Sequence, residues 1–403
     1  MKKVYIIPLI FIMSACNNVD AQTNRNKVVE NEAVENEVVE NKVVEDAVLI
    51  AAVDEVPSIE DQVQFQDYVV GLDEPWGFAF FPDNPINILI TQKTGELLRY
   101  DGKKLNAIGG IPEVNNSRQG GLLDISFDPD YSENGWIYLS LSDPLKPGSD
   151  KVMTQIVRGR LEDDQWVDQQ ILFEADPKYY TKSSFHYGSR ITFDNEGYLY
   201  FSVGDRGKRE QAQDVDRPNG KIHRINRDGS VPADNPFVDG KSPTIWSYGN
   251  RNPQGLIIHP ETGVLWETEH GPRGGDELNA IKKGVNYGWP KITYGINYVG
   301  TKITDDKALP GMHQPASQWT PSIAVCGLDV YTGDMFPEWK GRLMAGSLAY
   351  ETLRLIDVER DQYKGEVTLF SQEGRIRDVT TGPDGAIYVA LPERIVRITP
   401  KDG

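Results

Sequence analysis

ITFDNEGYLYFSV, residues 191–203, is the stretch on which the fold turns. A short β-rich run meets a tight turn at Asp194–Gly197, and an aromatic, β-branched run leaves it. Two such runs about a short turn read as a β-hairpin. The design recurs before it as FAFFPDNPINILIT (78–91) and ISFDPDYSENGWIYLSL (125–141). It recurs after it as LIIHPETGVLWETE (256–269), LDVYTGDMFPEWKGRLMAGS (328–347) and VTTGPDGAIYVAL (379–391). Helical periodicity is nearly absent between the copies. Six copies over about 340 residues give one unit per ~55 residues, somewhat above the usual propeller-blade period. Radial repetition of small antiparallel sheets accounts for the count, the turns and the aromatics. The expected fold is all-β, a six-bladed β-propeller. A pair of β-sandwiches would split the chain in two, and no linker interrupts its middle. The strand at Tyr68–Gly71 is expected to close the ring against Arg394–Thr399. Spacing between copies varies, and the extra length is expected in loops on one face, around a site.

Composition agrees. The 403 residues include 38 Gly and 25 Pro, with aromatics at 10%. The formal net charge is −18, which argues against nucleic acid or an anionic lipid surface as the main partner. Part of that acidity lies outside the repeats. Residues 16–60 hold eleven acids and three bases, and four pentapeptides (VVENE, AVENE, VVENK, VVEDA) run from 28 to 47. A five-residue period matches neither helix nor strand, so residues 17–60 read as an acidic, flexible tether. Ahead of it, Lys2 and Lys3 precede an apolar run from Val4 to Met13. Such a run is a secretory signal and is too short to span a membrane. Met13-Ser14-Ala15-Cys16 resembles a bacterial lipoprotein box, with Met where Leu is commoner. The expected organisation is a signal ending at a lipidated Cys16 (1–16), the tether (17–60) and the propeller (61–403). The protein would then be exported and held at a periplasmic or outer-membrane surface only by its anchor. Cys326, the other cysteine, lies in a strand-like run and reads as a buried, inert thiol.

Five polar, glycine-rich stretches are not needed by strands. They are Ser117–Gly121, Phe185–Arg190, Gly204–Gly207, Tyr248–Gly255, and Glu269–Asn279 followed by Val285–Pro290. His186 and Asp205 lie nineteen residues apart at opposite ends of one hairpin, which can place them side by side. A carboxylate beside an imidazole fixes its tautomer and raises its basicity, an arrangement for general-base work. Alone, His186 reads equally as a structural histidine. Arg251 and Asn252 can bind a carboxylate or an oxyanion, or simply form a connecting turn. The last stretch offers carboxylates and turning carbonyls, which suit a hard cation such as calcium.

Together HYGSR, GDRG, RNPQG, HGPRGGDELN and NYGWP, in that order, resemble the soluble pyrroloquinoline quinone (PQQ) dehydrogenases of sugars, in their aldose sugar dehydrogenase branch. The resemblance covers about residues 67–400 and itself implies a six-bladed propeller. It implies His186 as the base that takes the proton of the sugar C1 hydroxyl, with Asp205 orienting it. Gln119, Arg251 and Asn252 would contact PQQ, and Arg251 would stabilise developing negative charge. Arg375 and Arg377 would meet the cofactor's acidic rim, and Tyr298 would flank it. The carbonyls of Gly271 and Pro272 would bind a calcium at the quinone. Asp276, Glu277 and Tyr287 would surround a second, structural calcium. An aldose would become a lactone, with electrons leaving to an external acceptor, since the chain has no haem-attachment motif. One departure stands out. Gly346-Ser347-Leu348-Ala349-Tyr350 places alanine where the family pattern supplies a lysine to a cofactor carboxylate. That departure leaves two other readings open. One is a calcium-dependent propeller hydrolase of lactonase type. The other is a non-catalytic propeller lipoprotein that binds a glycan or a surface partner.

Overall fold

The computed structural model describes residues 56–401. The expected signal and nearly all of the expected tether lie outside the described residues. Six four-stranded antiparallel sheets form the fold. They are blade 1 (75–108), blade 2 (122–173), blade 3 (191–248), blade 4 (253–319), blade 5 (325–371) and blade 6 (378–400), the last completed by Val63–Val70. Each of the six sequence copies supplies the first two strands of one blade. The expected propeller is therefore the fold observed.

The apolar runs are continuous because each sheet is covered on both faces. Along a strand, alternate side chains point to opposite faces. Ile88 and Ile90 accordingly join Tyr388 and Ala390 between blades 1 and 6. Leu89, between them, joins Leu122 and Leu139 between blades 1 and 2. The same alternation builds the other four interfaces: Met153 with Phe201, Ile222 with Leu256, Trp266 with Leu328, and Leu355 with Val389. The core is thus a ring of six wedges.

Closure is antiparallel. Val63 pairs with Pro400, Phe65 with Ile398 and Val70 with Arg394. The closing strand starts five residues before the expected Tyr68, because its alternation continues upstream through Phe65 and Val63. It is the outermost strand of blade 6, so one blade is assembled from both ends of the chain. Upstream of it, Ser58 bridges to Thr368 of blade 5.

Innermost strands run away from one end of the ring and second strands return to it. Residues just before a first strand, or just after a second, therefore gather at that end. The longest connection, residues 282–316, departs from the expectation that extra length would leave from one face. It leaves the third strand of blade 4 at the opposite end and folds back, so that Trp289 reaches Asp205.

Candidate active site

The topology brings most of the expected residues together. Gln119, His186, Arg251, Asn252, Arg375 and Arg377 all lie one to five residues ahead of a first strand. Asp205, Gly271 and Pro272 follow a second strand. His186 is 6% exposed and Asp205 is 1% exposed. His186 Nδ1 lies 2.7 Å from Asp205 Oδ1. The other carboxylate oxygen accepts the Trp289 indole N–H at 2.8 Å, and Oδ1 also accepts the Gly207 N–H at 2.8 Å. Burial would raise the Asp205 pKa, but His186, Arg251 and the indole hold it below the usual carboxylate value. Burial, then the Arg251 charge, lowers the His186 pKa, and together they outweigh the pull of Asp205. The resting pair is a neutral imidazole beside a carboxylate. With Nδ1–H turned to Asp205, Nε2 is the nitrogen left to accept a proton.

The backbone around this pair is bent for it. His186 has φ 55° and Ser189 φ 79°, in the left-handed region that non-glycine residues seldom occupy. Gly204 has to be glycine, because a Cβ there would sit 2.1 Å from the His186 carbonyl oxygen. The next residue is Asp205, so this close approach is what sets carboxylate against imidazole.

A pocket opens beside the pair. Gln119, Asn252, Arg375 and Arg377 line it, as do Trp76 and Leu348. Gln119 Oε1 accepts the His186 N–H at 2.7 Å, and Asn252 Oδ1 accepts the Gly188 N–H at 3.1 Å. Both amides thus hold the HYGS segment and border the pocket. Arg377 Nη1 donates to Gln254 Oε1 at 3.2 Å. Arg251 lies behind the wall, with Nη1 donating to the carbonyls of His270 (3.0 Å) and Gly271 (2.7 Å). Tyr298 lies apart from the pocket lining, half-buried on the turn where Ile296 bridges Lys302. A pocket walled by cationic, amide and aromatic groups fits a flat polycarboxylate such as PQQ.

The calcium residues divide. Three protein donors engage Asp276: Oδ1 accepts from Gly271 N and Ser322 Oγ, and Oδ2 from Val325 N. It pins the glycine loop to blade 5, and burial raises its pKa to about 6. The Tyr287 hydroxyl donates to the Ala280 carbonyl and accepts the Lys282 N–H, so its side chain is engaged as well. Glu277 differs. It lies opposite Glu269 in the sheet, with Glu267 opposite Asn279. Asn279 Nδ2 bridges Glu267 at 3.0 Å and Glu277 at 3.2 Å. Burial, with Asn279 countering it, leaves the Glu277 pKa at about 7. Burial and the neighbouring glutamates push Glu267 and Glu269 well above the carboxylate range. Glu267 Oε1, Asn279 Oδ1 and the Asn250 amide are buried without hydrogen-bond partners. Among the described residues no three acidic, His or Cys side chains converge as a ready-made metal cage. The oxygen donors and unmatched carboxylates still have the chemistry a hard cation takes.

Several contributors were not legible beforehand. Trp289 lay in a flagged motif, but its bond to Asp205 crosses between blades. Glu267 and Glu269 alternate in WETEH, which runs into the flagged stretch at Glu269. Arg118 and His270, inside flagged stretches without an assigned role, and Glu74 and Lys93, outside them, also line the pocket. Below it, Arg190 donates to Asp124 (3.1 Å), Asp378 (2.8 Å) and the carbonyls of Gln254 and Arg377, and stacks 4.1 Å from the Trp76 ring. One guanidinium thereby ties five blades at the axis.

Comparison with known proteins follows the geometry. The profile of the glucose/sorbosone dehydrogenase family matches residues 72–398. The aldose sugar dehydrogenase YliI of Escherichia coli K12 is 42% identical over 343 residues, 82% of this chain and 91% of that protein. The crystal structure of the soluble aldose sugar dehydrogenase from Escherichia coli in its apo-form has a TM-score of 0.79 at 39% identity, covering 84% of this chain and 100% of that one. The PQQ-bound aldose sugar dehydrogenase of Streptomyces coelicolor has a TM-score of 0.70 at 26% identity, covering 84% and 99%.

Proposed function

The chain belongs to the glucose/sorbosone dehydrogenase family, and from that premise we propose that it is a PQQ-dependent aldose sugar dehydrogenase. It oxidises the C1 hydroxyl of an aldose to the lactone and passes the electrons to an external acceptor. The observation that carries this reading is the His186–Asp205 pair, neutral imidazole against buried carboxylate, beside a pocket lined by Arg375 and Arg377. PQQ, when bound, supplies the two-electron acceptor for the hydride that leaves C1. The protein does the rest. His186 Nε2 takes the hydroxyl proton, and Asp205 keeps Nδ1 protonated and steadies the imidazolium. Arg375 and Arg377 hold cofactor carboxylates, while Gln119 and Asn252 fix the wall that carries the base. Arg251, its charge beside His186, favours negative charge developing there. No observation favours the hydrolase or the binding-protein alternative, and neither explains a cationic pocket beside a general base.

The test is reconstitution. Apo-protein loaded with PQQ and calcium should reduce a dye with glucose or another aldose. A folded protein that shows neither a quinone spectrum nor turnover would sink the reading.

Calcium is the finer part of the proposal. The buried glutamates Glu267, Glu269 and Glu277, two of them bridged by Asn279, support a structural cation between blades 3 and 4. The carbonyls of Gly271 and Pro272 are the expected ligands of a second ion; the Gly271 carbonyl already accepts from Arg251 Nη1 at 2.7 Å, so an ion there would have to displace the guanidinium. Adding calcium to chelator-treated protein should raise Tm by several degrees, and Glu277→Gln should shrink that gain. An unchanged Tm across millimolar calcium would remove the structural site. Export and anchoring through Cys16 belong to the same proposal and rest on the N-terminal sequence.

A further inference from the structure

We propose that Lys93 and Arg118 supply the positive charge that Ala349 withholds, so that the cofactor's carboxylates are gripped from blades 1 and 2 as well as from blade 6. This assignment rests on the quinone reading above. Lys93 follows the second strand of blade 1 (Asn84–Gln92). Ala349 stands in the same connection of blade 5, after Leu343–Ser347. The two positions belong to the same turn of the repeat. Blade 6, which carries Arg375 and Arg377 at the start of its first strand, sits between blades 5 and 1 in the ring. Its neighbours therefore flank those arginines from opposite sides. On the blade 5 side the pocket wall is the apolar Leu348, and the next residue contributes only a methyl. On the blade 1 side the wall is Glu74, Trp76 and Lys93.

Lys93 is placed and available. Its side chain is 19% exposed and packs on Gly121, where an added Cβ would meet Lys93 Cγ at 2.8 Å. Its ammonium pairs with Glu74 at 2.7 Å, and that carboxylate is 58% exposed. An ion pair with so exposed a partner is weakly held. A polyanion held by several cations at once can take the ammonium, leaving Glu74 to water. Arg118 comes from the loop before blade 2, adjacent to Gln119, with its guanidinium 5.2 Å from the Phe185 ring centre. Four cations and one carboxylate line the pocket of a chain whose net charge is −18. Such a local reversal concentrates an anionic ligand. The charge lost from one neighbour of blade 6 is present on the other.

The test is binding, not turnover. Apo-protein is titrated with PQQ and followed by tryptophan fluorescence, for which Trp76 in the pocket wall is a natural reporter. Lys93→Met keeps the stem on Gly121 and removes the charge. It and Arg118→Ala should each raise Kd about tenfold, and the pair about a hundredfold. The salt dependence of Kd should flatten in both. Ala349→Lys in the Lys93→Met background should restore most of the affinity. If the wild type binds and both single variants bind within about twofold of it, with the circular dichroism unchanged, the assignment is overturned and the quinone reading stands. If the wild type itself does not bind PQQ, both fall together.

Discussion

His186 is a base by virtue of what surrounds it. Burial and Arg251 hold its pKa below 6.5, while Asp205 retains its charge. The neutral imidazole is the working form, so kcat/KM should be level near neutrality. It should fall tenfold per pH unit on an acid limb that lies below 6.5. The same depression links to stability. The unfolded chain binds the His186 proton more readily, so this contribution is complete above 6.5 and is lost as pH falls through 6.5 toward the folded pKa. Arg251→Met removes the second cause of the depression and should move the limb toward alkaline pH. His186→Ala should lower kcat by about 10²–10⁴ while leaving the PQQ Kd near that of the wild type. Stopped-flow rates with separate binding titrations check both; a limb unmoved by Arg251→Met would remove that residue from the electrostatics of the base. The His186–Asp205 pair was legible because one hairpin spans it. The bond from Trp289 was not, because it depends on a connection that folds back from another blade, 84 residues onward. Asp276 shows the same limit. An acid in a glycine-rich loop suggests a metal ligand, and the sequence does not disclose that three protein donors, from that loop and from Ser322 and Val325, engage it.

At the level of elements, the first two strands of every blade announce themselves and the outer two often do not. Inner strands are covered on both faces and read as unbroken apolar runs, as in LYFSV at 199–203. The third strand of blade 3, KIHRI at 221–225, is equally buried but polar. Its polarity is explained residue by residue. Lys221 Nζ donates to the carbonyls of Gln211, Ala212 and Asn219, and its burial lowers its pKa to about 7. His223 bonds Thr244 and the Pro218 carbonyl and stacks on Phe201 at 4.9 Å. Their hydrogen-bond partners come from connections between strands, so no local pattern discloses them. The connections themselves carry the function, and Gly204 tests that claim. Gly204→Ala forces a methyl toward the His186 carbonyl and must push the two connections apart. Overpacking of this kind costs about 1–3 kcal/mol. The loss should appear as a lower Tm together with a kcat well below wild type at nearly unchanged PQQ affinity. A variant with wild-type kcat would show that the approach of these two turns does not position the base.

For the whole molecule, the ring explains how a net-negative chain builds a cationic pocket. Radial repetition aims six pairs of connections at one end, and the arginines and lysine there come from blades 1, 2 and 6. Arg190 closes the axis below, between Asp124 and Asp378, so the floor is itself a buried ionic cluster. This convergence cannot be read along the sequence, because Arg190 and Asp378 alone are separated by 188 residues. Ring closure against the C-terminal strand was legible, although the closing strand was expected at Tyr68–Gly71 and is Val63–Val70. It also separates two roles of the N-terminal region. Removing residues 1–55 deletes the expected signal, anchor and nearly all of the expected tether, but none of the described strands. The product should remain folded with an unchanged Tm and full activity, and should leave the membrane fraction for the soluble one. Extending the deletion through Val70 strips the outermost strand from blade 6 and exposes the edge formed by Arg394–Pro400. It also uncovers Phe370, against which Phe65 packs at 6.0 Å. An unpaired edge beside exposed apolar side chains invites aggregation. The longer deletion should therefore yield insoluble or partly unfolded protein by circular dichroism and sedimentation. A soluble, active product lacking residues 1–70 would show that the ring holds without its closing strand.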